Sequence, residues 1–107
     1  QRLVIGDAAP QTPDAGLVAL IARAFATREM FFASGDDSVE AMAARLGVRR
    51  DYLAVQLRLS YLAPQIVRSI LLGAHPCELT PTRLISMSRS LPYDWDEQRR
   101  LLGFEPA

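Results

Sequence analysis

Lysine is absent from this sequence, and cysteine and histidine each occur once, as Cys77 and His75. A single cysteine excludes an internal disulfide, so nothing indicates an oxidising compartment. A zinc site needs three or four ligands, which these two residues cannot supply. We therefore interpret Cys77 and His75 as loop residues and expect neither a metal nor another cofactor.

Long apolar runs are missing as well. None approaches the roughly 18 residues that a membrane helix needs, and no secretory signal opens the chain. The glycines are isolated, so no Gly-rich phosphate-binding loop is present. We expect a cytoplasmic protein with no membrane partner and no enzyme active site confined to this chain. Because it begins with Gln1 rather than methionine, we also expect a fragment of a longer protein.

The composition that remains is ordinary for a globular protein. Half of the 107 residues are apolar and 22% are charged, which predicts one domain with a hydrophobic core. All 12 basic residues are arginine, and they balance 12 acids. Residues 41–68, however, hold five arginines against Asp51 alone. A chain of zero net charge can therefore still present a positive surface.

Helical spacing of apolar residues, with glycine and proline between the periodic segments, predicts a compact all-α domain of about five to six helices. We place this domain at residues 13–107, after an extended lead-in at residues 1–12. Six predicted helices are residues 13–34 capped by Thr12, Val39–Leu46 capped by Ser38, Arg49 to about Leu62, Pro64–Leu72, one capped by Thr80, and residues 94–102. Predicted core-facing residues are Leu17, Leu20, Ile21, Ala24, Phe25, Phe32, Ile66, Ile70, Leu71, Trp95, Leu101, Leu102 and Phe104.

The segment from Val39 to Leu53 fits the template of a helix-turn-helix. Ala43 supplies a small residue where the two helices would touch, and Gly47, four residues later, accepts the positive φ that the turn needs. The apolar positions expected to seal the pair are Met42, Leu46, Val48 and Leu53.

Charge at the start of the second helix of this motif favours DNA binding. That start enters the major groove, and Arg49 and Arg50 occupy it. Positive charge there opposes the helix dipole, so folding stability does not account for it. Arginine can bind guanine or phosphate, and tyrosine can bind phosphate. We predict a DNA-facing surface with Arg49, Arg50 and Tyr52, and with Arg45 and Arg58 as candidates for phosphate contacts.

Further motifs extend over most of the chain. They are Leu17-Val18, Ala22-Arg23-Ala24, Ser38, Ala43, Tyr52, Arg58-Leu59, Leu62-Ala63-Pro64, Ile66-Val67, Ile70-Leu71, Gly73, Leu79-Thr80, Arg83-Leu84, Leu91-Pro92, Asp94-Trp95 and the run from Glu97 to Phe104. On these residues the chain resembles the C-terminal DNA-binding region of bacterial and phage serine site-specific recombinases of the resolvase/invertase class. The part from Ser38 to Pro64 is also similar to the helix-turn-helix of ParB-type partition proteins.

The resemblance implies a domain that binds double-stranded DNA at recombination sites. A separate catalytic domain would cut and rejoin the strands through a serine that attacks the phosphodiester. None of the serines of this chain stands in a family catalytic motif, so we nominate none as catalytic. The resemblance also implies homo-oligomers formed through the full-length protein.

Two departures from the family pattern bear on DNA recognition. Val55-Gln56 stands where the family usually has arginine followed by leucine, so we expect an exposed Val55 and a buried Gln56. A buried glutamine needs hydrogen-bond partners or costs about 1–3 kcal/mol. Asp51 stands where the family often has a small polar residue; it would repel phosphate, although it could accept a hydrogen bond from cytosine.

Two alternatives to a recombinase DNA-binding domain stay open. One is a helical protein–protein interaction module with a degenerate helix-turn-helix, which an apolar Val55 on the outer face would suit. The other is a stand-alone helix-turn-helix regulator of transcription.

Overall fold

The computed structural model of the protein describes residues 12–104, which form six helices and no strand. This confirms the prediction of an all-α domain. Most of the predicted lead-in, residues 1–11, lies outside the described residues, as do residues 105–107. The helices are α1 (Ala15–Ser34), α2 (Val39–Leu46), α3 (Arg50–Leu59), α4 (Pro64–Leu71), α5 (Pro81–Met87) and α6 (Trp95–Leu102), with a 3-10 turn at Ser88–Ser90.

Side-chain caps determine where most of the helices begin. Ser38 accepts a hydrogen bond from the Ala41 amide at 3.0 Å, and Thr80 accepts one from the Arg83 amide at 3.1 Å. Asp94 accepts bonds from the Asp96 and Glu97 amides, the second and third of α6. These caps satisfy amides that have no partner within the helix, and they stand where the sequence predicted them.

Helix α1 begins two residues later than predicted. Asp14, not Thr12, is its N-cap, and the Asp14 carboxylate accepts a hydrogen bond from the Leu17 amide at 2.9 Å. A carboxylate at this position accepts that hydrogen bond and also interacts favourably with the positive end of the helix dipole. A threonine hydroxyl can accept the same bond, but it has no charge to interact with the dipole.

Helix α3 ends earlier than predicted, at Leu59 instead of about Leu62. Ser60 to Leu62 form a tight turn, in which the Ser60 hydroxyl donates to the Leu57 carbonyl at 2.6 Å. Pro64 disfavours helical backbone at Ala63, so the chain must leave the α3 direction before α4 starts.

Two hydrophobic clusters hold the helices together. The larger joins α1, the end of α3, α4, α5 and α6; the smaller joins Met42, Ala43 and Leu53 with the partly buried Phe31 and Val39. None of the described helices is both long and apolar enough to cross a membrane.

Several residues predicted to face the core are exposed. The buried face of α1 continues from Ala24 through Thr27 to Phe31, so Phe25 and Phe32 lie outside the i, i+3, i+4 stripe. The predictions for Leu17, Leu20, Ile21, Ala24, Ile66, Ile70, Leu102 and Phe104 are confirmed, since all eight are buried. Those for Phe25, Phe32, Leu71, Trp95 and Leu101 are wrong, because all five are exposed.

The two departures in α3 have different outcomes. Gln56 is buried as predicted, 3% exposed, and its Oε1 has no hydrogen-bond partner among the described residues. Val55 was expected on the outer face but is partly buried against the larger cluster. Helix α3 contacts α1, α2 and the 3-10 turn, so more of its circumference is covered than the isolated motif would suggest.

Gln98 connects α6 to the junction between α3 and α4. Its Oε1 accepts from the Ala63 amide at 2.8 Å, while its Nε2 donates to the Tyr61 carbonyl at 3.3 Å and the Pro92 carbonyl at 2.9 Å. The side chain is buried, so these bonds satisfy polar groups that water does not reach. The position of α6 is thereby tied to the turn that ends α3.

Candidate nucleic-acid interface

Helices α2 and α3 are joined by the three residues Gly47, Val48 and Arg49. Gly47 has φ 70° and ψ 30°, the left-handed conformation that the sequence predicted. The Val48 amide donates to the Ala43 carbonyl at 3.1 Å and the Gly47 amide donates to the Ala44 carbonyl at 3.4 Å. This pair of bonds is the Schellman arrangement, which satisfies carbonyls at the end of α2 and turns the chain into α3.

The apolar residues predicted to seal the two helices divide into two groups. Met42 and Leu53 are buried together with Ala43, as expected. Leu46 and Val48 are 38% and 39% exposed, so the prediction that they seal the pair is wrong. Gly47, with its positive φ, turns the chain away from the axis of α2 directly after Leu46. Leu46 and Val48 therefore lie at the edge of the contact between α2 and α3.

The first turn of α3 is open to solvent. Arg49 is its N-cap residue, and Arg49, Arg50, Asp51 and Tyr52 are all exposed. The structure thus brings together three of the residues predicted to face DNA. Arg49 makes no ion pair among the described residues, whereas Arg50 places its Nε 2.5 Å from Glu40 Oε2 and its Nη1 3.5 Å from Asp51 Oδ1.

Arg45, near the end of α2, is also paired. Its Nε and Nη2 bind the Asp36 carboxylate, the shortest distance being 2.8 Å from Nη2 to Oδ2. The hydrogen bond from Arg45 lowers the pKa of Asp36, and that from Arg50 lowers the pKa of Glu40. In return, the pKa values of Arg45 and Arg50 are raised. Two of the predicted DNA contacts are therefore held by carboxylates from the same domain.

Arg58 lies apart from this group. It is eight residues beyond Arg50 on α3, which is about 12 Å along the helix axis. There it lines a second surface feature, a groove of about 910 Å³ bordered by α1, the end of α3, α4 and the segment from Ser88 into α6.

We call this feature the basic groove, because arginine is the only charged residue type that lines it. It also contains four aromatic residues above an aliphatic floor. Its lining includes the arginines Arg28, Arg58, Arg68 and Arg89, the aromatic residues Phe25, Tyr61, Tyr93 and Trp95, and the aliphatic residues Leu57, Leu62, Pro64, Val67, Leu71, Leu91 and Pro92.

The four arginines of the basic groove differ in what holds them. Arg28 donates to the Ser60 carbonyl at 3.3 Å and lies 4.8 Å from the centre of the Tyr61 ring, a cation–π geometry. Arg89 is 4.0 Å from an Asp51 oxygen, at the limit of an ion pair. Arg58 and Arg68 form no ion pair within residues 12–104.

Sequence reasoning did not find the basic groove, because its arginines are scattered from position 28 to position 89. One signal was available in the sequence: Tyr61, Tyr93 and Trp95 each lie within three residues of Pro64 or Pro92, where proline interrupts the helices. The apolar periodicity of a helix does not extend across such an interruption, so it does not require these rings to face the core.

Other chemistry receives little support from the described part of the chain. It contains no group of three or more His, Cys, Asp or Glu side chains placed to hold a metal ion. Comparison with protein-family models, curated proteins and solved structures found no match to this chain.

Proposed function

We propose that this domain binds double-stranded DNA, with α2 and α3 acting as a helix-turn-helix. The observation that carries the proposal is the open first turn of α3, where Arg49, Arg50 and Tyr52 are exposed beside a tight glycine turn. Positive charge at a helix N-terminus opposes the dipole, and Arg49 forms no ion pair among the described residues, so the stability of α3 does not account for Arg49.

The ion pairs around this turn are compatible with phosphate binding. Glu40 holds Arg50 through a contact in which both side chains are more than half exposed. An exposed pair of this kind contributes little stability and exchanges readily, so a DNA phosphate can take the place of Glu40. The Asp36 side chain is only 14% exposed and binds two nitrogens of Arg45, so that arginine is held more firmly. Asp51 works against phosphate binding, since it adds negative charge within the same turn.

The experiment is a titration of a labelled random-sequence duplex followed by fluorescence anisotropy, at low and at physiological salt. We expect a dissociation constant on the order of 10⁻⁴–10⁻⁶ M that weakens steeply as salt rises. The variant Arg49→Ala/Arg50→Ala should lose most of this affinity.

Its matched control is Arg23→Ala/Arg83→Ala, which removes two exposed arginines from α1 and α5 and changes the net charge equally. Equal losses of affinity in the two variants would mean that binding depends only on the net charge of the domain. The assignment of the DNA contact to α3 would then be wrong. No binding by the unaltered domain at low salt would remove the DNA proposal altogether.

We further propose that the domain positions a separate catalytic domain, as part of a protein similar to serine recombinases. Support comes from the segment from Leu91 to Phe104, which carries the densest resemblance. Its Gln98, Leu102 and Phe104 are buried and hold α6 in place, as a segment that defines the fold of a family would.

The recombinase part is tested on the product of the natural gene. The full-length protein is incubated with duplexes that carry a site selected by this domain. A serine of its catalytic domain should then become covalently bonded to a DNA phosphate. A gene product that binds the site but never becomes linked would leave DNA binding in place and remove the recombinase assignment.

A further inference from the structure

We propose that the basic groove binds an acidic amphipathic segment of a partner protein, with its apolar side chains on the groove floor and its carboxylates at the arginines. This inference does not rest on the proposed DNA binding, because neither Arg49 nor Arg50 lines the basic groove and Arg58 lies about 12 Å along α3 from Arg50. Arg89, which lies 4.0 Å from Asp51, brings the edge of the basic groove near the first turn of α3.

The floor of the basic groove calls for apolar side chains. Leu57, Val67 and Leu91 are only partly buried, and Tyr61 and Trp95 beside them are 50% and 51% exposed. A groove lined mostly by aliphatic and aromatic side chains, with a few charged groups among them, is typical of a binding site. A helix with side chains at positions i, i+3, i+4 and i+7 would cover such a floor.

The rim of the basic groove selects the charge of the occupant. Four arginines and no acidic residue line it, although the chain as a whole has zero net charge. Arg58 and Arg68 stand on α3 and α4 at its border, with no ion pair in the described part of the chain. Arginine forms bidentate bonds with carboxylates, so aspartate and glutamate on the occupant would complete this rim.

A single-stranded nucleic acid fits the arginines and the rings but not the floor. Bases bind by stacking on aromatic rings, and seven of the apolar residues that line the basic groove are aliphatic whereas four are aromatic. Aliphatic side chains offer no ring for a base to stack on, and polar base edges placed against them would lose water without gaining hydrogen bonds. The composition of the lining therefore favours a peptide with apolar side chains.

Trp95 provides a direct readout, since it is the only tryptophan of the chain and lines the basic groove. The probe is a labelled peptide of roughly four helical turns, with Leu and Phe on one face and Asp and Glu on the other. We expect it to increase in anisotropy and to shift the Trp95 emission to shorter wavelength. A peptide of the same composition in scrambled order should bind less well.

The test variant is Arg58→Gln/Arg68→Gln, for which we expect about tenfold weaker binding. The matched control Arg23→Gln/Arg83→Gln removes two exposed arginines elsewhere and should bind as the unaltered chain does. Tyr93→Ala is a second test variant, which should also weaken binding. Because Tyr93 is 98% exposed, its loss cannot act through the fold.

Three outcomes would overturn the proposal. The first is no anisotropy or Trp95 change with the amphipathic peptide at millimolar concentration. The second is equal weakening in the test variant and in the control. The third is stronger binding of labelled oligothymidylate than of the peptide, if the oligothymidylate also shifts the Trp95 emission. That result would assign the basic groove to single-stranded nucleic acid. Because Arg58 is also a predicted phosphate contact, Arg68→Gln alone separates the two proposals: this variant keeps Arg49, Arg50 and Arg58 and should weaken binding of the peptide but not of a random duplex.

Discussion

At the residue scale, Gly47 holds the backbone conformation on which the turn between α2 and α3 depends. Its φ of 70° lies in the left-handed region, yet a Cβ built there would meet no atom within 4 Å. Glycine is therefore needed at position 47 for its backbone conformation and not for lack of space. The need could be predicted from the sequence because it arises from the turn itself, which spans only a few residues.

Gly47→Val is expected to lower the free energy of unfolding by about 1–3 kcal/mol, since a β-branched residue is strained at this φ. Urea denaturation followed by circular dichroism measures the change. Gly47→Asn is the control, because asparagine tolerates the left-handed region, and its loss should be clearly smaller. Equal losses in the two variants would mean that something other than φ makes Gly47 necessary.

Gln56 is a buried polar residue of α3. Its amide oxygen has no hydrogen-bond partner among the described residues, and an unpaired buried acceptor costs about 1–3 kcal/mol. Gln56→Met, a change that keeps volume and removes the polar group, is expected to raise the urea midpoint and to stabilise the domain by about 1 kcal/mol. Gln98→Met is the contrasting variant and should destabilise, because that glutamine is fully bonded. A less stable Gln56→Met would imply that the Gln56 side chain has a partner.

At the scale of elements, the residues at which helices start could be predicted better than the helix faces that are buried. Ser38, Thr80 and Asp94 cap their helices as the sequence indicated, because a cap and its amide lie within three residues of each other. Which face is buried depends on distant partners. Gly16 illustrates this: a Cβ there would lie 2.9 Å from Pro81 Cγ on α5, a contact that no local pattern in α1 reveals.

The contact between α2 and the first turn of α3 gives a prediction for DNA affinity. Glu40 holds Arg50, so Glu40→Gln should release this arginine and strengthen binding to a random duplex. Glu78→Gln adds the same charge in the exposed link between α4 and α5 and serves as the control. Anisotropy titrations should show the larger gain for Glu40→Gln. A gain no larger than the control would mean that Arg50 does not contact DNA.

The same ion pairs make a contribution to stability that depends on pH. The pKa of Asp36 is held below its usual 3.8 by the hydrogen bond from Arg45, and that of Glu40 below its usual 4.5 by the bond from Arg50. A carboxyl whose pKa is lower in the folded state stabilises fully above its unfolded pKa. That contribution is lost as the pH falls through the folded value.

Asp36→Asn/Glu40→Gln should therefore melt below the unaltered domain at neutral pH, and the difference should disappear as the pH falls through the lowered pKa values of the two carboxyls. Calorimetry from neutral to acidic pH measures this difference, which is small because Glu40 and both arginines are half exposed or more. A difference that stays constant with pH would show that the substitutions act through packing and not through charge.

At the scale of the whole molecule, zero net charge conceals one positive surface, the basic groove, whose only charged lining residues are arginines. Around the turn between α2 and α3, carboxylates contact Arg45 and Arg50, and Arg49 is the arginine without an ion pair among the described residues. The open turn with Arg49 and Arg50 could be found from the sequence because its charges are adjacent. The basic groove could not, since Arg28, Arg58 and Arg68 come together only when α1, α3 and α4 pack. Phe25 and Trp95 were assigned to the core for the same reason: helical spacing marks a ring as apolar, but it does not locate the surface that covers it.

The hydrogen bond from the Ala63 amide to Gln98 also makes this amide a reporter of motion. Ala63 precedes the first turn of α4, where amides have no partner within the helix, so its protection from hydrogen exchange comes from α6. Its exchange rate therefore measures how often α6 undocks, separately from the opening of α4. Because Gln98 also holds the carbonyls of Tyr61 and Pro92, each such opening loosens one wall of the basic groove. An occupant that binds there should slow exchange at Ala63.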